Sequence, residues 1–108
     1  MRTLRFIVDG QIIKRDPECD FSGLVPGTDG YLQAEFTFSQ EWKKCVKIAG
    51  FMCGNVECKP QILEDGKTCM IPSEALKKKS FEIEILGRAG HVKLRTNRVM
   101  VRQNGGRA

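Results

Sequence analysis

The sequence predicts an all-β protein, an antiparallel β-sandwich of the immunoglobulin-like or jelly-roll-like kind. Two observations favour this fold. Short segments alternate apolar and polar residues, and Gly, Pro and Asp residues separate them at short intervals. No amphipathic segment is long enough for a major helix. We expect seven or eight short strands and one or two single-turn helices in one domain covering residues 1–108.

The N-terminal segment predicts a hairpin followed by a long loop. Residues 4–8 alternate apolar and polar side chains, and Asp9-Gly10 favours a type I′ turn, so a hairpin over residues 3–15 is expected. Residues 16–30 contain two prolines and several glycines with only scattered apolar residues. We therefore predict a long connection there.

The segment from 31 to 52 predicts two strands around one helical turn. Residues 31–39 alternate most regularly, and Ser39 suits the start of a turn that ends at Trp42. Val46 and Ile48 continue a strand pattern in which Gly50 marks a bulge. The lysines of this strand are expected to point outward: Lys43, Lys44 and Lys47.

The second half of the chain repeats the same pattern of short strands and turns. Strands are expected at 56–63, 68–71, 80–86, 91–94 and 98–103, turns at 64–67 and 87–90, one helical turn at 72–76, and a frayed tail at 104–108. Pro60 cannot donate a ladder hydrogen bond, so its strand should lie at an edge or be broken. The predicted core is Phe36, Phe38, Trp42, Phe51, Ile71, Leu76, Phe81, Ile83 and Ile85.

The chain carries a net charge of +5, and its excess of basic residues is C-terminal. After Glu84 there is no acidic residue, and the basic side chains that follow include Arg88, Lys93, Arg95, Arg98, Arg102 and Arg107. A solvated strand face plus a flexible tail is the favoured interpretation. Nucleic-acid binding is a weaker alternative, because the basic segment has no aromatic residue to stack on bases.

The sequence indicates no enzyme. His91, the single histidine, lies in a turn, and Glu82 and Glu84 are expected on a solvated strand face. Cys53 and Cys58 lack the further ligands of a zinc site. We therefore predict no catalytic, cofactor-binding or metal-binding residue and no cofactor, and the binding residues stay unidentified. The odd number of cysteines predicts buried free thiols: Cys19, Cys45, Cys53, Cys58 and Cys69.

The sequence predicts no targeting or membrane segment. No run approaches the ~20 apolar residues that cross a bilayer, and Asp9 interrupts the N-terminal apolar run too early for a signal peptide. We expect synthesis in the cytosol and no membrane partner.

Five short motifs, in a fixed order over residues 31–102, carry a family resemblance. They are Phe-Thr-Phe-Ser-Gln-Glu-Trp (36–42), Lys-Ile-Ala-Gly-Phe (47–51), Asp-Gly-Lys-Thr-Cys-Met-Ile-Pro-Ser-Glu-Ala-Leu (65–76), Phe-Glu-Ile-Glu-Ile-Leu-Gly (81–87) and Leu-Arg-Thr-Asn (94–97). In this order they resemble small structural proteins of the tail, baseplate or fibre modules of bacteriophages and prophages of Gram-positive bacteria. The resemblance implies a sandwich that is assembled into a virion through protein–protein contacts.

That resemblance sets the functional expectations. They are a non-catalytic virion structural protein, other virion proteins as partners, a homo-oligomer, and location in the virion after assembly in the bacterial cytoplasm. Three alternatives stay open: a capsid decoration protein, a host-surface or glycan-binding module, and a basic nucleic-acid-binding β-domain.

Overall fold

The computed structural model describes residues 1–104 and shows two packed β-sheets. The strands are β1 (Arg2–Asp9), β2 (Ile12–Arg15), β3 (Leu32–Phe38), β4 (Val46–Cys53), β5 (Val56–Glu57), β6 (Gln61–Ile62), β7 (Thr68–Met70), β8 (Ser80–Ala89), β9 (Val92–Arg95) and β10 (Val99–Arg102). Single 3₁₀ turns lie at Gln40–Trp42 and Ser73–Leu76, as expected. The all-β sandwich is confirmed, with ten strands in place of seven or eight. Most of the predicted frayed tail, residues 105–108, lies outside the described residues.

The first sheet has the strand order β2-β1-β3-β7 and is not wholly antiparallel. β1 and β3 pair in parallel from Arg2 opposite Leu32 to Val8 opposite Phe38. The cause is the hairpin. β2 returns the chain to the end of the sheet where β1 begins, and β3 starts from that same end on the other edge of β1, so β3 runs parallel to β1. The pairing of β1 with β3 therefore departs from the antiparallel arrangement that was expected.

The second sheet is built on β8, which pairs with β4 on one side. On its other side β8 pairs with β10 along its first half and with β9 along its second half. Between β9 and β10, Thr96 completes the ladder: its hydroxyl accepts from Ile85 N–H at 2.9 Å, and its own N–H donates to Ile85 O at 3.1 Å. The outer edge next to β4 is split into β5 and β6 around Pro60, as predicted.

The core lies between the two sheets and contains eight of the nine predicted residues at 2% exposure or less. Trp42 is fully buried, and its indole N–H donates to Gly10 O at 2.7 Å. Phe38 is the exception, because it is only partly buried at the edge of the core, 5.6 Å from the Trp42 ring. The aromatic side chains are therefore used mainly for packing.

The predicted loop over residues 16–30 is confirmed as a connection without strands, and it packs onto the sandwich. Leu24 inserts into the core with 2% exposure, and Phe21 meets Phe6 edge to face at 5.5 Å. Gly27 N–H donates to Leu76 O at 2.7 Å, which attaches the loop to the second 3₁₀ turn.

Two turns differ from the sequence-based expectation. The β1–β2 hairpin is present, but Gly10 and Gln11 are its central residues and only Gly10 has a positive φ, so the turn is not type I′. The turn predicted at 87–90 occurs at Gly90 and His91, because β8 continues to Ala89.

Candidate assembly surface

The side chains of β4 that point outward are not the ones that were expected to do so. Lys47 and Phe51 point into the sandwich, whereas Val46 points outward with 64% exposure and Ile48 is partly exposed. Successive side chains of a strand alternate between faces, so the burial of Phe51 places every second residue of β4 inside. The prediction that Lys47 points outward was therefore wrong.

Lys47 is accommodated at the edge of the core by polar and aromatic contacts. Its ammonium lies 5.1 Å from the centroid of the Phe38 ring and donates to Cys45 O at 3.3 Å. The residue is 7% exposed. A cation over an aromatic face is an attractive arrangement, so this lysine remains on the inner side without a carboxylate within reach in the part of the chain described.

The outward side chains of the second sheet form an exposed apolar row. Ile48 on β4 pairs with Ile62 on β6 and with Leu86 on β8, so three branched side chains adjoin across three strands. Ile62 is 59% exposed, and Val46 extends the row along β4. We call Ile62, Ile48, Leu86 and Val46 the apolar row. Contiguous apolar surface that remains in water usually marks a contact site.

Charged residues lie at the two ends of this face. Beyond the apolar row, Arg88 is opposite Val46 and Lys93 is opposite Arg88. In the other direction along β8, Glu82 is flanked by Met52 on β4 and Met100 on β10. At that end the exposed Arg102 of β10 lies on the same face as Glu82, so the outer face of the second sheet has a basic end and an apolar middle but no acidic end.

Glu84 lies between these regions and is already neutralised. Its carboxylate accepts from Arg95 Nε at 2.9 Å and lies 3.4 Å from Arg98 Nε, and the residue is 6% exposed. The hydrogen bond and the negative charge of Glu84 raise the pKa of Arg95. The expected solvated position of Glu84 was wrong, since its partners cover it.

Gly50 makes the burial of Glu84 possible. A β-carbon at position 50 would lie 3.3 Å from Cγ of Glu84, closer than ordinary packing allows. The β4–β8 register runs without interruption from Val46 to Met52, so Gly50 does not mark a bulge as expected. The Glu84 side chain fills the space that a side chain at position 50 would need.

The outer face of the first sheet is different in character. Its central side chains are mainly polar, and Arg5 donates to Glu35 at 3.1 Å between two partly exposed side chains. Gln33 Nε2 donates to Thr3 Oγ1 at 2.9 Å on the same face. Such a face is well solvated, so the second sheet offers the stronger candidate for contact with another protein.

The residues considered for chemistry do not converge. His91 is exposed in its turn, and Trp42 is buried and therefore closed to a sugar ring. Within residues 1–104 no group of three His, Cys, Asp or Glu side chains is arranged to hold a metal ion.

The five cysteines are free thiols, and two of them, Cys53 and Cys58, are buried. Burial raises the pKa of Cys69 to about 12, and burial also raises that of Cys58. The raised pKa keeps the Cys58 and Cys69 thiols protonated at neutral pH, whereas a nucleophilic cysteine reacts as its thiolate.

The fold and this surface define an all-β sandwich protein with an exposed apolar sheet face. No helix within residues 1–104 has the length and apolar character needed to span a bilayer. Comparison with protein-family models, with curated proteins and with solved structures gives no match to this chain.

Proposed function

We propose that the chain is a non-catalytic structural protein of a bacteriophage or prophage virion, associated with the tail, baseplate or fibre. It acts by assembling with other virion proteins through the outer face of its second sheet. The single observation that carries the assembly role is the apolar row, whose members Val46 and Ile62 are each more than half exposed. Covering such side chains is favourable by about 25 cal/mol per Å² of apolar area removed from water.

The motifs behind the phage resemblance support a structural role, since each of them contributes buried residues to the sandwich. In the Lys-x-Ala-x-Phe motif, Lys47, Ala49 and Phe51 all face inward. The Cys-x-Ile-Pro motif leads from β7 into the second 3₁₀ turn, with Ile71 buried at 2% exposure.

Location in the virion is tested on particles from a bacterium that carries the gene. Prophage induction, density-gradient purification and mass spectrometry should find the chain in the particles at a stoichiometry comparable with known tail proteins. Immunogold labelling should place it at the tail or baseplate. Labelling of the head would favour the capsid decoration alternative, and absence from purified particles would contradict the proposal.

The role of the apolar row is tested by changing its most exposed members. The double variant Val46→Lys, Ile62→Lys should fold with an unchanged melting temperature, because both side chains already lie in water. We expect it to be lost from the particles. The matched control is Lys14→Glu, an exposed charge change on the first sheet, which should be incorporated normally.

A further inference from the structure

We propose that the outer face of the second sheet binds a segment of a different protein in which carboxylate and aliphatic side chains adjoin. The aliphatic side chains cover the apolar row, and the carboxylates bind Arg88 and Lys93. This inference rests on the proposed function, because it specifies the chemistry of the partner that the same surface contacts. It follows from how cations and aliphatic side chains are arranged on β4, β8 and β9.

The strand register places cations directly beside the apolar row. Val46 on β4 is paired with Arg88 on β8, and Arg88 is paired with Lys93 on β9. In the neighbouring cross-strand row, Leu86 on β8 is paired with Arg95 on β9. Residues that are paired across a sheet, or that are two apart along a strand, lie on the same face. The aliphatic half of the surface, over β6 and β4, therefore continues across β8 into a basic half on the β9 side.

Side chains from both halves line one groove in the outer face, with a volume of ≈ 740 Å³. The groove is aliphatic on one side and cationic on the other, and the side chains that form it are Val46, Ile48, Leu86, Arg88, Lys93 and Arg95. It crosses three strands, a width of about 10 Å at the usual strand spacing. Such a concave surface accepts the inserted side chains of a peptide, whereas a flat bilayer surface would not fill it.

Within residues 1–104, Arg88 and Lys93 are the two cations of the groove without an ion-pair partner, and both are exposed. The third cation, Arg95, is already bound to Glu84. Glu82, the other carboxylate of β8, lies six residues from Arg88, which is about 20 Å along the strand. An anionic partner therefore finds two cations free beside the apolar row.

The pairing of Arg88 with Lys93 lowers the stability of the fold, because like charges directly opposite each other on neighbouring strands repel. Folding gives no reason for two cations here, since an acidic residue at either position would form an attractive pair. A carboxylate that binds both cations removes the repulsion. Groups that oppose the fold are typical of functional sites, where stability is given up for activity.

A protein segment fits this groove better than a nucleic acid does. A nucleic acid would offer phosphates to the cations but would leave the aliphatic half in water. The groove residues within 1–104 include no aromatic side chain to stack on bases. A segment that combines Asp or Glu with Leu, Ile or Val satisfies both halves at once.

Peptide selection on the purified chain tests this chemistry without any virion. A random peptide library is selected on the immobilised wild type and counter-selected on V46S/I62S, which lacks the most exposed aliphatic side chains of the apolar row. The selected peptides should contain Asp or Glu close to Leu, Ile or Val. Fluorescence anisotropy with a labelled selected peptide should show binding that is weaker by at least about tenfold for R88E/K93E. The affinity of the wild type should fall as the salt concentration rises.

A charge swap distinguishes direct pairing from a general effect of the substitutions. The selected peptide with lysine at its acidic positions should bind R88E/K93E and not the wild type. The matched control is R102E, the same charge change on the same face but near the far end of β8. Its affinity for the original peptide should stay within about twofold of the wild type, because charges that far apart are screened.

Thermal unfolding separates binding from folding. The single variant R88E places a carboxylate opposite Lys93, so it should raise the melting temperature while it weakens peptide binding. A melting temperature that falls together with the affinity would overturn the inference, because the two cations would then serve the fold.

Other outcomes would also reject this partner. Selected peptides without acidic residues, or binding that survives in R88E/K93E, would contradict the role of the two cations. Tighter binding of phosphatidylglycerol vesicles or of a DNA oligomer than of the peptide would assign the face to a different occupant. A wild type that dimerises in sedimentation velocity, with the dimer lost in V46S/I62S, would make a second copy the occupant.

These results are separable from those of the proposed function. If the chain is a virion component but selects no acidic peptide, the virion role stands and the chemistry of the partner is wrong. If peptide binding shows the predicted charge dependence but the chain is absent from particles, the partner chemistry stands and the virion role is wrong.

Discussion

The side chain of Asn97 is hydrogen-bonded to both backbone polar groups of Ile13. Its Oδ1 accepts from Ile13 N–H at 2.7 Å, and its Nδ2 donates to Ile13 O at 3.3 Å. Ile13 lies on β2, the edge of the first sheet, and Asn97 follows β9 of the second sheet. One amide side chain therefore joins the two sheets and covers an edge that would otherwise offer free backbone groups to another strand.

Replacing Asn97 should loosen this edge. We expect Asn97→Ala to lower the free energy of unfolding by about 1–2 kcal/mol, since two hydrogen bonds are lost. Hydrogen exchange at the Ile13 amide should accelerate. Asn97→Asp is the matched control, because a carboxylate still accepts from that amide. Equal protection of Ile13 in wild type and N97A would show that the contact does not hold the edge.

Gly87 lies against the indole ring of Trp42. A β-carbon at position 87 would stand 2.6 Å from Cζ3 and 2.9 Å from Cε3 of Trp42, and 3.2 Å from Cβ of Cys45. Position 87 has no room for a side chain, because the Trp42 ring already fills the volume that a β-carbon would occupy. We expect Gly87→Ala to destabilise the fold by about 1–3 kcal/mol through overpacking.

A double-mutant cycle with Trp42→Phe tests this cause. The smaller ring should leave room for the methyl group, so G87A should cost less in the W42F background than in the wild type. Urea unfolding of the four proteins gives the coupling energy. Additive effects would mean that the cost of G87A comes from elsewhere.

Much of the fold could be predicted from the sequence because its strands follow simple alternation. Segments such as Leu32–Phe38 have one apolar and one polar face, and Pro60 marked the broken edge. The parallel pairing of β1 and β3 could not be predicted, because it depends on where the loop after β2 ends. Gly87 was assigned to a turn because the position of the Trp42 ring is set by tertiary packing.

The candidate surface was missed because β-branched residues were expected in the core. Val46 and Ile48 are outside, and the buried positions of β4 include Lys47 and Ala49. A signal was present in the sequence. Since Phe51 is the largest side chain of that strand, placing it inside puts both β-branched residues outside by the period of two.

The two kinds of ion pair in the sandwich should differ in strength. Glu84 is 8% exposed at its side chain and is held by two arginines, whereas Glu35 is 34% exposed and, among residues 1–104, is paired with Arg5 alone. We expect Glu84→Gln to lower the free energy of unfolding by about 1–2 kcal/mol and Glu35→Gln by less than about 0.5 kcal/mol. Both variants are measured by urea unfolding. Similar values for the two would argue against the shielding of Glu84 by its partners.

Asp65 should make the free energy of unfolding depend on pH in the acid range. Its carboxylate accepts hydrogen bonds from the hydroxyl and N–H of Thr68 and from Lys67 N–H. These bonds, that of the Thr68 hydroxyl first, lower the pKa of Asp65 from 3.8 to about 2. Because the folded state holds the carboxylate ionised more strongly than the unfolded chain does, the stabilisation is complete above about pH 4. It is lost as the pH falls from about 4 to about 2.

Asp65→Asn should therefore be less stable than the wild type at neutral pH, and the gap should narrow between pH 4 and pH 2. Urea midpoints at pH 7, 4, 3 and 2 measure it, with Glu64→Gln as the control for loss of a neighbouring negative charge. A gap that stays constant down to pH 2 would mean that Asp65 acts through turn geometry and not through its ionised form. Closure of the gap for D65N, with none for E64Q, would assign the acid dependence to this turn.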